Sequence, residues 1–151
     1  MRFVEELCEA IRCAFRDVRL GNGIGLNEGN ALDDYASSEK RAAARSRDEA
    51  AEWQRITVAD LNRCHSALSY FDAEGMRFHL PAFMIADVRG DFAFELVSCL
   101  TTSQLLEDQM RLLSAEQREA IRQYLEYCRS DANRQADAGA IDDALEGYWR
   151  R

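Results

Sequence analysis

Proline and histidine are scarce in this chain, and each scarcity argues against a class of structure or chemistry. The 151 residues include one proline and two histidines. So few prolines suit long helices better than the turn-rich strands of a β-sandwich. Because His65 and His79 are well separated and no C-x-x-C or H-E-x-x-H motif occurs, we expect no metal site, and no motif predicts a cofactor.

Basic side chains are also in deficit, with 19 lysine and arginine residues against 27 aspartate and glutamate residues and a net charge of −8. Nucleic acid and anionic membranes attract the opposite charge. The N-terminal segment is interrupted by Glu5, Glu6, Glu9 and Arg12, which is typical of neither a signal peptide nor a membrane span. We therefore expect a cytoplasmic protein that binds neither nucleic acid nor membrane.

The composition predicts one globular domain, residues 1–151, with a compact, mainly α fold. Apolar residues make up 47% of the chain, which is enough for a core without metal or disulfide staples. The five cysteines are odd in number and lack close pairing. That pattern favours free thiols in a reducing compartment.

Apolar spacing and capping residues predict where the helices lie. Three- and four-residue steps indicate a helix over 2–18, and Ser114-Ala115-Glu116-Gln117 is a capping box. Two apolar segments around Asp72-Ala73-Glu74-Gly75 could form a short β-hairpin near 68–80. We expect further helices over 38–53, from Thr57, from Pro81 as first residue, from Asp91 as cap of FAFELVSCL, and around 141–149.

The segment 69–84 is the densest local signal, because it combines aromatic residues, a tight turn, a cation and a proline. Aromatic density usually indicates a core. We expect the Arg77 guanidinium to pair with Asp72, or with Asp33 or Asp34, in a buried structural hub. The residues of this hub are Asp72, Gly75, Arg77 and Pro81.

The glycine-rich stretch Gly21-Asn22-Gly23-Ile24-Gly25 has neither the spacing of a dinucleotide fold nor the lysine of a phosphate loop. It follows a predicted helix and is interpreted as a flexible helix exit. The sequence contains no motif for nucleophilic catalysis, because no G-x-S-x-G elbow is present. Cys64 and His79 could form a catalytic dyad only if the fold brought them together. The sequence predicts no catalytic residue.

Several motifs, taken in order, resemble those of an uncharacterised family of small bacterial proteins, a domain of unknown function. They are the glycine-rich loop, the stretch Asp33-Asp34-Tyr35, the charged segment RSRDEAAEW over 45–53, and FDAEGMRFHLPA over 71–82. The resemblance covers residues 10–90. It implies a bacterial cytosolic protein of one domain, and it supplies no activity, ligand or catalytic residue.

Two functional hypotheses from different classes follow. The first is a non-catalytic binding protein, most sharply an immunity protein that neutralises a bacterial toxin, because an acidic surface steers toward a basic partner. Aromatic residues beside acids would serve as anchors. The expected contacts are Glu28, Asp33, Asp34, Asp137, Asp142, Asp143, Glu146, Tyr148 and Trp149.

The second hypothesis is a small-ligand receptor or enzyme with a carboxylate, arginine and histidine site near the glycine-rich loop. A cleft that gathers these groups around an acid of shifted pKa and a free histidine would favour it. Its residues are Asp33, Asp34, Asp72, Arg77 and His79.

Overall fold

A computed structural model describes residues 2–151, except for the side chain of Arg2. Within that range the chain is helical and contains no β-strand, which confirms the mainly α fold. Short 3₁₀ helices occur at Trp53–Arg55, His65–Ser69, Ala132–Asp137 and Tyr148–Arg150. The α-helices are α1 (Arg2–Phe15), α2 (Leu26–Asp33), α3 (Ser38–Ser46), α4 (Val58–Arg63), α5 (Ala73–Val88), α6 (Val97–Leu100), α7 (Leu106–Met110), α8 (Ala115–Ser130) and α9 (Ala138–Glu146).

Helix α5 is the centre of the molecule, because most of its residues are buried. Helices α1, α4 and α7 pack against it, and α1 also packs against α8. A helix that is buried on nearly every side lacks the apolar stripe from which a surface helix is predicted. The sequence pattern therefore divided this one helix into shorter segments.

The predicted β-hairpin near 68–80 and the predicted helix start at Pro81 are both wrong. Asp72 is the N-cap of α5, and its side chain accepts a hydrogen bond from the Gly75 backbone N–H at 2.8 Å. The Asp-x-x-Gly sequence thus begins a helix instead of turning a hairpin. Pro81 lies inside α5, where its missing N–H leaves the Arg77 carbonyl without the usual helical hydrogen bond.

Of three other predicted helix boundaries, one is confirmed and two differ from the structure. The capping box at Ser114 is confirmed as the start of α8. The helix predicted over 38–53 ends at Ser46. Asp91 caps no helix in the described chain, because its backbone N–H closes the last turn of α5 and only Val97–Leu100 is helical in the segment that follows.

Two tryptophans are buried in the core, and each satisfies its indole N–H on a backbone carbonyl. Trp53 Nε1 donates to the Phe15 carbonyl at 2.8 Å, and Trp149 Nε1 donates to the Leu100 carbonyl at 2.7 Å. These bonds attach the segments that carry the tryptophans to the helices beneath them.

Among the described helices, none combines the length and apolar character that crossing a membrane requires.

The cysteines are all unpaired, which confirms the predicted free thiols. Cys8, Cys64 and Cys128 are buried, and only Cys13 is exposed. Burial raises the pKa of Cys99 and of Cys128 to about 11. Both are therefore protonated thiols at neutral pH, which makes them poor nucleophiles.

Candidate functional site

The turn between α2 and α3 has an uncommon backbone. At its C-terminus α2 closes with two hydrogen bonds, from the Tyr35 N–H to the Leu32 carbonyl at 3.1 Å and from the Ala36 N–H to the Ala31 carbonyl at 3.0 Å. This pair of bonds defines a Schellman motif, in which one residue adopts the left-handed conformation. That residue is Tyr35, with a φ of 54°. We call residues 33–36 the tyrosine turn.

The C-terminus of α5 provides a direct comparison, because it makes the same pair of hydrogen bonds. The Gly90 N–H donates to the Asp87 carbonyl at 3.0 Å, and the Asp91 N–H donates to the Ala86 carbonyl at 2.8 Å. There the left-handed position, with a φ of 79°, is occupied by glycine, which has no Cβ to clash. A side chain in this conformation costs roughly 1–2 kcal/mol. Tyr35 carries a cost that glycine avoids.

The Tyr35 ring gains little from the fold in return. It is 92% exposed, more than any other large apolar or aromatic side chain of the described residues. Asp34 beside it is exposed, and Asp33 is half-buried. Backbone strain of this kind is concentrated at functional sites. The tyrosine turn is therefore the candidate functional site, and it contains the predicted contacts Asp33 and Asp34.

A cleft of about 620 Å³ lies beside the tyrosine turn, between α2 and α3. Asp34 and Tyr35 line it together with three cations, Lys40, Arg47 and Arg63. The lining of this cleft thus combines one carboxylate with three cations. Neighbouring patches of opposite sign orient a charged partner as well as attracting it.

Two buried or half-buried carboxylates hold the helices on either side of the turn. Glu28 of α2 is 3% exposed and accepts hydrogen bonds from Arg41 Nε and Arg45 Nη1, both at 2.8 Å. Glu28, an expected partner contact, is therefore buried, because its carboxylate holds α3 against α2. Asp48 accepts hydrogen bonds from the backbone N–H groups of Asn27 and Glu28 at 2.6 and 3.2 Å. Asp48 therefore caps α2, and it lies beyond the end of α3 at Ser46.

The C-terminal acidic cluster lacks its predicted aromatic anchor. Trp149 has no exposed surface and belongs to the core. Tyr148 is half-buried, and the Arg118 guanidinium lies 4.8 Å from its ring centroid. Asp142 accepts a hydrogen bond from Arg129 Nε at 2.9 Å. The remaining acids of the cluster are the half-buried Asp137 and the exposed Asp143 and Glu146.

Asp72 and Gly75 of the predicted hub join α5 to the glycine-rich loop. Asp72 Oδ1 accepts a hydrogen bond from the Ile24 N–H at 3.0 Å, and a Cβ on Gly75 would lie 2.3 Å from the Ile24 carbonyl oxygen. The ion pair predicted for Arg77 is wrong. Among the described residues it pairs with none of the three carboxylates proposed for it, and its Nε is buried without a hydrogen-bond partner.

The five residues of the receptor or enzyme hypothesis do not gather around one cleft. Asp34 lines the cleft beside the tyrosine turn, Arg77 lines another together with Gly21, and His79 lines a third. His79 is buried with Nδ1 2.7 Å from the Gly75 carbonyl oxygen, and burial lowers its pKa to about 4. The histidine is therefore neutral at physiological pH.

A buried polar network between α5 and α8 was not predicted. The Asp87 carboxylate is 6% exposed and accepts hydrogen bonds from the Tyr124 hydroxyl and from Arg134 Nη1, the latter at 2.8 Å. Arg134 also pairs with Asp131 at 3.2 Å. The contacts of Asp87 join residues far apart in the sequence, so no local pattern indicates them. Nowhere in residues 2–151 do three histidine, cysteine or carboxylate side chains converge as metal ligands would.

These features define a small all-α protein whose distinguishing surface is an exposed, left-handed tyrosine next to acidic side chains. The model of a family of unknown function, DUF6714, matches residues 4–151. The chain belongs to this family, in agreement with the resemblance drawn from its motifs. No curated protein and no solved structure matches the chain.

Proposed function

We propose that this protein is a non-catalytic binding protein that recognises another protein through the tyrosine turn. The observation that supports the proposal is the Tyr35 ring, 92% exposed on a backbone that glycine would adopt without steric cost. A tyrosine ring is a good interface anchor because it buries a large area and loses little side-chain entropy. Stability alone would favour glycine at this position of a Schellman motif.

The sharpest form of the proposal is a cytoplasmic immunity protein that neutralises a bacterial toxin. The net charge of −8 and the carboxylates Asp33 and Asp34 favour a basic partner. Toxins that act on nucleic acid need a basic surface to hold the phosphate backbone. Attraction between the two proteins would act over about 8 Å at physiological salt and would raise the association rate.

The test is a binding measurement with the product of the neighbouring gene, taken as the candidate toxin. Replacing Asp33 and Asp34 with lysine should lower the association rate and weaken its dependence on ionic strength, because rim charges act on encounter. Tyr35→Ala should raise the dissociation rate roughly tenfold or more, as loss of an anchor does.

A matched control makes the same change of net charge at a different place on the protein. Reversing Asp143 and Glu146 to lysine alters the net charge by the same amount on the C-terminal acidic cluster. If that pair abolishes binding while the tyrosine-turn variants bind normally, the turn is not the interface. If the protein leaves the toxin's activity unchanged, the immunity form of the proposal is wrong.

A further inference from the structure

A groove of about 630 Å³ lies between α1 and α8, away from the tyrosine turn. Phe3 and Leu7 of α1 and Tyr127 of α8 supply its apolar surface. Leu7 is buried and Tyr127 is half-buried, whereas Phe3 is 80% exposed. Among the described residues only Tyr35 is a more exposed large apolar or aromatic side chain. An exposed ring that continues an apolar groove is typical of a docking surface, in contrast to an exposed ring that stands alone.

The lining of the groove follows the spacing of two helices that pack side by side. Phe3 and Leu7 are four residues apart on α1. On α8 the lining residues Gln123, Tyr127 and Ser130 are separated by steps of four and three residues. These steps place the residues on one face of each helix, over about 10 Å of the α8 axis. A groove of this shape, about two turns long, accepts a third helix.

The charge of the groove has one sign. Its charged lining residues are Glu6 and Glu126, and no lysine or arginine of the described chain is among the lining. A helix that presents cations beside its apolar residues is therefore complementary to this surface, and an acidic helix is repelled by it.

Glu126 is the carboxylate on which this charge argument rests. Its side chain is exposed and forms no ion pair within the described chain. The arginines one turn before and after it on α8 are engaged by other carboxylates. Arg122 pairs with Glu119 at 2.7 Å, and Arg129 pairs with Asp142 at 2.9 Å. A cation from outside the chain would give Glu126 the counter-charge that the fold does not supply.

We propose that the groove between α1 and α8 binds a helix of another protein, one that carries lysine or arginine beside its apolar residues. The apolar residues of that helix cover Phe3 and Tyr127, and its cations lie against Glu126. A second copy of this chain fits less well, because a symmetric dimer would bring the same acidic lining against itself. The groove shares no lining residue with the cleft beside the tyrosine turn, so it is a second surface, independent of the proposed function.

A synthetic helical peptide of alanine, leucine and lysine, blocked at both ends, is the probe. Its leucines follow three- and four-residue steps along one face, and its lysines flank that face. Titrated into the full chain labelled with nitrogen-15, it should shift the amide resonances of α1 and α8 saturably. A matched peptide with glutamate in place of each lysine keeps the apolar face, and it should bind roughly tenfold more weakly or worse.

Variants separate the apolar contact from the charge. Phe3→Ala removes an exposed ring and should weaken binding of the lysine peptide roughly tenfold. Tyr35→Ala is the matched control, because it removes an exposed ring outside the groove, and it should bind normally. Glu126→Lys should weaken binding roughly threefold or more and reduce its dependence on salt. Glu146→Lys makes the same charge change at an exposed position outside the lining and should bind normally.

The two peptides and the wild-type chain decide the matter even if a variant fails to fold. No saturable shift with the lysine peptide, equal binding of the two peptides, or shifts confined to the tyrosine turn would each overturn the proposal. So would a dimer, seen by sedimentation equilibrium, that Phe3→Ala dissociates, because the occupant would then be a second copy. The tyrosine turn can fail as an interface without affecting any of these results.

Discussion

Replacing Tyr35 with glycine should stabilise the fold and remove the ring that we propose as the interface anchor. The φ of 54° places a Cβ in the left-handed region, which costs roughly 1–2 kcal/mol relative to glycine. Glycine has more freedom in the unfolded chain, which lowers stability by about 0.4–1 kcal/mol. The exposed ring contributes little to folding. The net expectation is a gain of about 1 kcal/mol in the free energy of unfolding.

Thermal and urea denaturation measure this gain. For a chain of 151 residues, about 1 kcal/mol corresponds to a rise in Tm of about 2–4 °C. Tyr35→Ala keeps the backbone cost and removes the ring, so its free energy of unfolding should stay within about 0.5 kcal/mol of the wild type. Gly90→Ala is the reciprocal control, because a Cβ at Gly90 meets no atom within 4 Å and only the backbone cost changes.

Three outcomes would count against the predicted backbone cost. Lower stability in Tyr35→Gly would mean that the ring stabilises the turn through contacts. Equal stability of the glycine and alanine variants would mean that the left-handed conformation costs nothing at this position. An unchanged Tm in Gly90→Ala would mean the same for Schellman motifs of this fold. Binding is a separate measurement, in which Tyr35→Gly and Tyr35→Ala should lower the affinity for a partner equally, since both remove the ring.

Three further predictions concern stability and reactivity. Burial lowers the pKa of His79 to about 4 from 6.5. Between these pH values the unfolded state binds a proton that the folded state does not, so the free energy of unfolding should fall by about 3 kcal/mol as the pH drops from 6.5 to 4. Urea midpoints should lose this pH dependence in His79→Phe and keep it in His65→Phe. Glu28→Gln should lower the free energy of unfolding by about 1–3 kcal/mol by breaking two ion pairs, whereas the exposed Glu39→Gln should not. A thiol reagent should modify Cys13 first in the native protein, and rapid modification of all five cysteines would contradict their burial.

The start of α8 was predictable from the sequence, whereas the central helix was not. The capping box at Ser114 is a local signal that needs no tertiary contact, and α8 begins there. Helix α5 is buried on nearly all sides, so its apolar residues follow no stripe. Asp72-x-x-Gly75 is compatible with both a turn and an N-cap, and only the packing of the residues that follow selects the cap.

The sequence analysis named Asp33 and Asp34 of the candidate site as contacts but did not name Tyr35 as one, and it did not predict which side chains are exposed. Glu28 and Asp34 are both acids near a chain bend, yet one is buried by two arginines and the other is exposed. Trp149 and Tyr35 are both aromatic residues near acids, yet the tryptophan is in the core. Long-range contacts decide each case, and a single sequence does not display them. That Tyr35 occupies a position where glycine is usual can be recognised only once the end of α2 is known.

Two local rules are broken near α2, one by a side chain in the left-handed region and one by an acceptor without a donor. Tyr35 follows the C-terminus of this helix, and His79 lies in the cleft at its N-terminus. The helix between them is held firmly, since Glu28 binds two arginines of α3 and Asp48 caps its first turn. Departures from local consistency on a well-supported scaffold are expected where a surface is used for binding. Only Tyr35 is exposed, so its variants test binding to a partner, whereas His79→Phe tests what the buried ring does for stability.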